Sequence, residues 1–209
     1  MPRNVAIEPL NAERADSAFT MVCEEFARGS VIHAALGISE AEYRDYLRPE
    51  FYANVEAGLS LAAVDWCSGE IQGCLIARDF VSSAVSQKPV PDRLLPMMAL
   101  LHELEARSED RCSEPGRDLL VDMAVVSRHS GGLGIYKRLR EASQQIGRRH
   151  GFVRVIGELS SAATQHVCVH RMGHQVRAEV DYASFEYRGQ KPFAHITEPA
   201  GVQLVVGEL

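Results

Sequence analysis

The stretch that most constrains the fold is residues 118–140, DLLVDMAVVSRHSGGLGIYKRLR. It opens on a Val- and Leu-rich run in which Asp122 is the only charge between Leu119 and Val126. A short, near-continuous apolar run of this kind reads as a strand covered on both faces. Gly131, Gly132 and Gly134 follow the polar segment Ser127-Arg128-His129-Ser130. From Ile135 the period changes. Ile135, Leu139, Ala142 and Ile146 recur at helical spacing, with Lys137, Arg138 and Arg140 between them as a polar face. The order is therefore strand, glycine turn, helix. The first N–H groups of a helix lack partners, and its dipole adds positive potential there. Glycines let a ligand come close to the backbone, so a phosphate group is the fitting occupant. The common nucleotide patterns are absent: there is no Gly-Lys-Ser/Thr, and Lys137 stands where Gly132-x-Gly134 would need its third glycine. Taken alone, the glycines read equally well as a plain tight turn.

The rest of the chain supplies strands and helices around this unit. Val5-Ala6-Ile7 reads as a strand ended by Pro9, and Asn11 as the N-cap of a helix reaching about Arg28. Val31–Leu36 reads as a further helical turn. Ser39 and Glu42 form a capping-box signature for a helix over roughly 39–57, with Pro49 expected to interrupt or kink it. Leu59–Asp65 and Ile71–Ala77 form a hairpin. Residues 81–117 look inserted and carry a helix from Leu94 to about Arg107, with Leu94, Met97, Met98, Leu101 and Leu104 on one face. Phe152–Glu158 is a strand parallel to the first one, since a helix connects them. A short helix over 162–172 ends at Gly173. Val176–Tyr187 and Gln203–Val206 are the last strands, with Arg188-Gly189 as a turn between them.

The glycine turn carries a family resemblance. Val126, Gly132, Gly134, Ile135 and Leu139 match the pattern Val-x-Pro-x-x-Arg/Gln-Gly-x-Gly-Ile-Gly/Ala-x-x-Leu. The segment, together with the element order, resembles the GNAT superfamily of N-acetyltransferases. Arg128 replaces the proline, Gly131 the Arg/Gln, and Tyr136 the small residue. Phe26–Leu36, the insert and Ser184–Phe193 look like the arylalkylamine and dopamine acetyltransferase branch. The resemblance implies an α/β fold with a mixed, mostly antiparallel sheet, a splayed parallel strand pair at its centre and helices on both faces. It implies one acyltransferase domain over 1–209, in which acetyl-CoA is the co-substrate and no metal is needed. The pyrophosphate would rest on the turn Gly131, Gly132, Leu133, Gly134, Ile135 and Tyr136. Amides near Val125 and Val126 would polarise the thioester carbonyl. Three family residues are replaced: Val169 stands for a catalytic tyrosine, His174 for a phenylalanine, and Ser30-Val31-Ile32 for a Glu-Pro-Leu whose glutamate is proposed as the base.

Acetyl transfer to an amine needs a neutral amine, a polarised carbonyl and a stabilised thiolate. Asp122 is the first candidate for general base and Glu158 the second, because a carboxylate in a buried strand has a raised pKa or a partner. A structural role, pairing with an arginine or capping a loop, is the alternative for both. Ser160 and Thr164 stand where the dopamine branch has two serines, and capping of the 162–172 helix would also explain them. Glu24 and Glu25 read as surface acids able to line an amine pocket. His166, His170 and His174 have helical spacing, but no further metal ligand is evident. Cys168 reads as a buried, inert thiol.

The net charge of −6 argues against a general nucleic-acid binder and suits cationic substrates. Cys23, Cys67, Cys74, Cys112 and Cys168 form no Cys-x-x-Cys pair, which fits reduced thiols. No signal peptide or membrane-length apolar stretch is visible, so the expected compartment is the cytoplasm. The expected partner is a small-molecule amine, without nucleic acid or membrane; a homodimer is compatible with all of this. The competing function class is a non-catalytic CoA-binding or regulatory domain of the same fold.

Overall fold

Strand β4 (Asp118–Val126) and strand β5 (Arg154–Leu159) lie side by side and parallel at the centre of a seven-stranded sheet. The computed structural model describes residues 4–81, 89–108 and 114–209. Cys112 and parts of the 81–117 insert fall outside those residues. The sheet order is β1-β2-β3-β4-β5-β7-β6, where β1 is Val5–Pro9, β2 Leu61–Asp65, β3 Ile71–Asp79, β6 Gln175–Asp181 and β7 Gly201–Glu208. Every neighbouring pair except β4–β5 is antiparallel.

The parallel pair is clamped at one end and open at the other. Asp118 and Arg154 are register partners, and Arg154 donates from Nε and Nη2 to the two Asp118 carboxylate oxygens, each at 2.7 Å. Pairing ends at Val121 opposite Gly157. Beyond that point β4 stays on β3 as far as Val126, and β5 stays on β7 as far as Leu159. The two strands part because each follows its other neighbour.

Side chains alternate across the sheet, as strand geometry requires. Cys74, Ile76, Met123 and Val125 pack with helices α1 (Ala12–Gly29) and α3 (Glu40–Glu56). Leu75, Ala77, Leu119 and Val121 pack with Ile135 and Leu139 of α5 (Ile135–Arg149). A further core joins α4 (Leu95–Arg107) to β6 and β7 through Leu100, Leu104, Val180 and Leu204.

Local signals match the expected caps. Asn11 Oδ1 accepts from Arg14 N at 3.3 Å. Ser39 Oγ accepts from Glu42 N and Glu42 Oε2 from Ser39 N, a complete capping box. Four expectations change. Pro49 does not interrupt α3, whose buried Tyr43, Leu47, Phe51 and Val55 dock it and offset the missing hydrogen bond. In α4, Leu100 joins Leu94 and Leu104 in the core, because the helix packs on β6 and β7 with one side and faces a cavity with Met97, Met98 and Leu101. The 162–172 segment is a short helix α6 (Ala162–Gln165) continued by a π-helical turn, His166–Arg171. Arg188-Gly189 turns locally, closing a bridge between Tyr187 and Gln190, and does not join β6 to β7.

Candidate active site

Where β4 and β5 part, a cavity of about 510 Å³ opens between them. Its lining comes from both sides of the gap. Phe26, His33, Tyr43, Glu50 and Met97 belong to the side of α1 to α4, and α2 is the short helix Val31–Leu36. Tyr136 and Arg140 belong to α5. The parted strands contribute Val121–Val126 and Glu158–Ser161. A gap between strands is the one place where backbone N–H and C=O groups in a sheet centre lack ladder partners, so it suits a polar chain lying through it.

Asp122 sits at the edge of this gap on a β-bulge. Ile76 of β3 faces Met123 and the next residue, Ala77, faces Val121, which leaves Asp122 as the extra residue. The bulge resets the alternation. Strict period two would put Asp122 on the face of Val126, which packs toward α5. Instead its carboxylate turns to α3, where Oδ2 accepts from Asn54 Nδ2 at 3.4 Å and Oδ1 stands 4.0 Å from Arg78 Nε.

Of the carboxyls that line the cavity, burial raises the pKa of three, Glu158, Glu50 and Asp122. Glu158 is pushed up to about 8 by burial, then by the charges of Glu105 and Asp122. Glu50 is pushed up to about 7 by burial and then by Asp122. Asp122 is raised by burial, with Arg78 opposing the shift. The mutual repulsion of these acids, the lesser cause of the Glu158 and Glu50 shifts, is relieved by a cation placed among them. Rings complete it: His33 meets Tyr43 edge-on at 4.4 Å and lies 5.5 Å from Phe26, and burial lowers the His33 pKa to about 4.

On the other side lies the glycine turn. Gly132 and Gly134 have φ of 75° and 74°, and a Cβ on either would meet open space. The first helical hydrogen bond of α5 runs from Arg138 N to Gly134 O. The N–H groups of residues 132–137 thus have no backbone acceptor among the described residues. Ser130 Oγ donates to Gln72 Oε1 at 2.6 Å and Ser127 N to Gln72 O, which anchors the turn on β3. Lys137 is engaged with Glu141, and Arg138 donates to Val5 O at 2.7 Å, so both are drawn away from the turn.

Of the expected residues, Asp122, Glu158, Ser160, Thr164, Val125, Val126 and Tyr136 all line the cavity. Gly131, Gly132, Leu133, Gly134 and Ile135 form the turn outside that lining. Ile135 is buried in the core, so only its amide is available, and Leu133 is exposed. The cap of α6 is Ser161, whose Oγ accepts from Thr164 N, and Thr164 Oγ1 donates to Ser161 O. Glu25 lines the cavity, whereas Glu24 pairs with Arg28 outside it. His166 and His170 stack at 5.4 Å on the surface, and His174 is buried against Gln144. Among the described residues no group of three or more His, Cys, Asp or Glu is placed to hold a metal. Cys23, Cys67, Cys74 and Cys168 are free thiols. Among the described residues no helix is long and apolar enough to cross a membrane.

Sequence reasoning missed Glu50, Arg78 and Arg140. Glu50 and Arg78 read as surface charges, and nothing local distinguishes them. Arg140 was assigned to a polar face, yet it is 1% exposed. The signal was a second row on α5 at helical spacing: Tyr136, Arg140, Ser143 and Gly147.

Solved structures share this architecture. The C-terminal condensation domain of Ebony, in complex with beta-alanyl-dopamine, superposes with a TM-score of 0.88 at 15% identity, covering 98% of this chain and 99% of that one. Arylalkylamine N-acetyltransferase 2 from Aedes aegypti gives 0.83 at 15%, covering 99% of each. A polyamine N-acetyltransferase from Drosophila melanogaster that forms N-acetylagmatine gives 0.78 at 20%, covering 99% and 100%. No protein-family model and no curated protein matches the sequence. The chain has the GNAT fold.

Proposed function

We propose that the protein is an N-acetyltransferase that moves the acetyl group of acetyl-CoA to a primary amine by direct attack. The observation that carries this reading is the cavity between the parted strands, with unpartnered N–H groups at the turn on one side and an acidic, aromatic pocket on the other. The turn would hold the pyrophosphate through the amides of residues 132–136. Pantetheine would lie in the gap, where β4 beyond Val121 has free backbone groups to polarise the thioester carbonyl. The amine would enter from the side of α1 to α4. Its ammonium meets Asp122, Glu50 and Glu158, and its body meets Phe26, Tyr43 and His33. Asp122, oriented by Asn54 and Arg78, serves as general base, directly or through water, and Glu158 is the second acid at the gap.

The nitrogen then attacks the carbonyl carbon, the C–S bond breaks, and the thiolate leaves with a proton. Val169 brings no hydroxyl to this point. Tyr136 lies within the same lining, its hydroxyl 3.4 Å from Cys168 Sγ. Burial raises its pKa, so it offers a hydrogen bond and keeps its proton. The acceptor class that fits is a small cationic amine with an aromatic or alkyl body. Neighbours of this fold are named for arylalkylamines and agmatine. The test is release of free CoA from acetyl-CoA across a panel of arylalkylamines, agmatine and polyamines. Turnover with at least one amine is expected. Tight CoA binding without turnover on any amine would instead identify a non-catalytic CoA-binding domain.

A further inference from the structure

Arg140 heads the fully buried large side chains among the described residues. Its Nε, Nη1 and Nη2 are all buried without a hydrogen-bond partner, and it makes no ion pair among the described residues. A buried guanidinium that pairs with nothing is strongly disfavoured, because desolvation of the charge is not offset. The surroundings are nevertheless built to admit it. A Cβ on Gly157 would stand 3.1 and 3.2 Å from Nη1 and Nη2, so the strand leaves its side-chain position to the guanidinium. Gly157 is also the last β5 residue paired to β4. The guanidinium therefore sits at the floor of the gap, on the α5 side, and lines the cavity. Glu158 does not neutralise it. Next along the strand, Glu158 faces the opposite side, toward Glu105, Asp122 and Arg78. The groups nearest Arg140 are uncharged: Tyr136 keeps its proton, and His174 has its pKa lowered to about 4 by burial and then by Arg140 itself.

We infer that Arg140 receives the carboxylate of a dicarboxylic acyl group, so that a succinyl- or glutaryl-type CoA thioester is accepted as a donor in addition to acetyl-CoA. This rests on the reading that the thioester lies in the gap, and places it there level with Leu159 and Ser160, which line the cavity. From residue 157 to residues 159–160 a strand climbs roughly 7–10 Å, the reach of a four- or five-carbon acyl chain plus one N–H···O bond to its end. A guanidinium fork matches a carboxylate in two parallel bonds. The reaction is otherwise unchanged. The amine nitrogen bonds to the thioester carbon, the C–S bond breaks, the thiolate takes the proton, and the distal carboxylate is carried intact into the amide product.

Calorimetry on the full chain with succinyl-CoA, glutaryl-CoA and the neutral butyryl-CoA and acetyl-CoA tests this. Succinyl- or glutaryl-CoA is expected to bind about tenfold tighter than butyryl-CoA or more, the scale of one charge-assisted bidentate pair. In Arg140→Leu that ratio is expected to fall to about one, and Arg140→Lys to keep part of it. Equal affinity for succinyl- and butyryl-CoA in the wild type overturns the inference, as does a ratio that survives Arg140→Leu. The wild-type comparison decides alone if the variants fail to fold. Binding of acetyl-CoA with no preference for charge overturns this inference only, whereas failure of every CoA ester to bind overturns the CoA reading with it.

Discussion

The Asn54 side-chain amide donates to Asp122 Oδ2 at 3.4 Å, tying helix α3 to the bulge in β4 beside the open strand gap. Asn54 is itself buried. The bond orients a carboxyl whose pKa burial raises, and Arg78 opposes that shift. Position and charge state are thus both controlled from outside the strand.

Asp122→Asn keeps an oxygen for Asn54 to donate to, so the variant is expected to fold. If Asp122 assists amine deprotonation, kcat/KM should fall by roughly 10²–10⁴-fold, the usual worth of a general base. The acidic limb of the pH–rate profile should disappear as well. Normal turnover with an unchanged profile would make Asp122 structural and move the test to Glu158→Gln.

Gly134→Asp should weaken CoA binding sharply. The residue has φ of 74°, which strains a side chain there although aspartate tolerates this conformation better than most residues, and no neighbour lies within 4 Å of a Cβ, so the new charge faces the amides of the turn without a clash. Titration of CoA into the folded variant is the measurement. Wild-type affinity would place the pyrophosphate elsewhere.

Arg154→Met should destabilise the protein by about 3–5 kcal/mol, because it leaves the fully buried Asp118 carboxylate unpaired. Urea denaturation measures this. A loss below about 1 kcal/mol would mean that the clamp on the closed end of the parallel pair is dispensable. Arg140→Leu should move the other way and leave the unliganded protein as stable or more so, since it removes a buried charge without a partner.

Stability should fall as pH rises from about 6.5, above which the buried histidines no longer titrate in either state, to about 8. The folded chain keeps the Glu158 proton up to about 8, while the unfolded chain releases it near the ordinary value of 4.5. Between those values the native state binds more protons, so each step up in pH favours unfolding. Glu50, raised to about 7, acts in the same direction. Glu158→Gln should flatten the profile, by an amount on the order of a few kcal/mol at most. Denaturation midpoints that are level across this range in the wild type would show that these acids are not buried as described.

The sequence by itself determined the strand–turn–helix unit, the two capping signals, the parallel pair and the order of elements. All of these follow from local properties: a period of two or 3.6, a capping side chain, a glycine free to take positive φ. It also brought Asp122 and Glu158 forward, since a lone carboxylate in an apolar strand is visible in one dimension. What tertiary structure alone decided is where those carboxylates point and what joins them. The bulge at Asp122 arises from pairing with β3 and turned the side chain to the face opposite the one its spacing implied. Glu50 and Arg78 come from distant segments and read as solvated charges until α3 and β3 close over the gap. Arg140 shows the limit most plainly. A charge on a helix is normally read as its wet face, and only the packing of α5 against Gly157 buries this one, because burial is set by what lies across from a residue and not by the residues beside it in the chain.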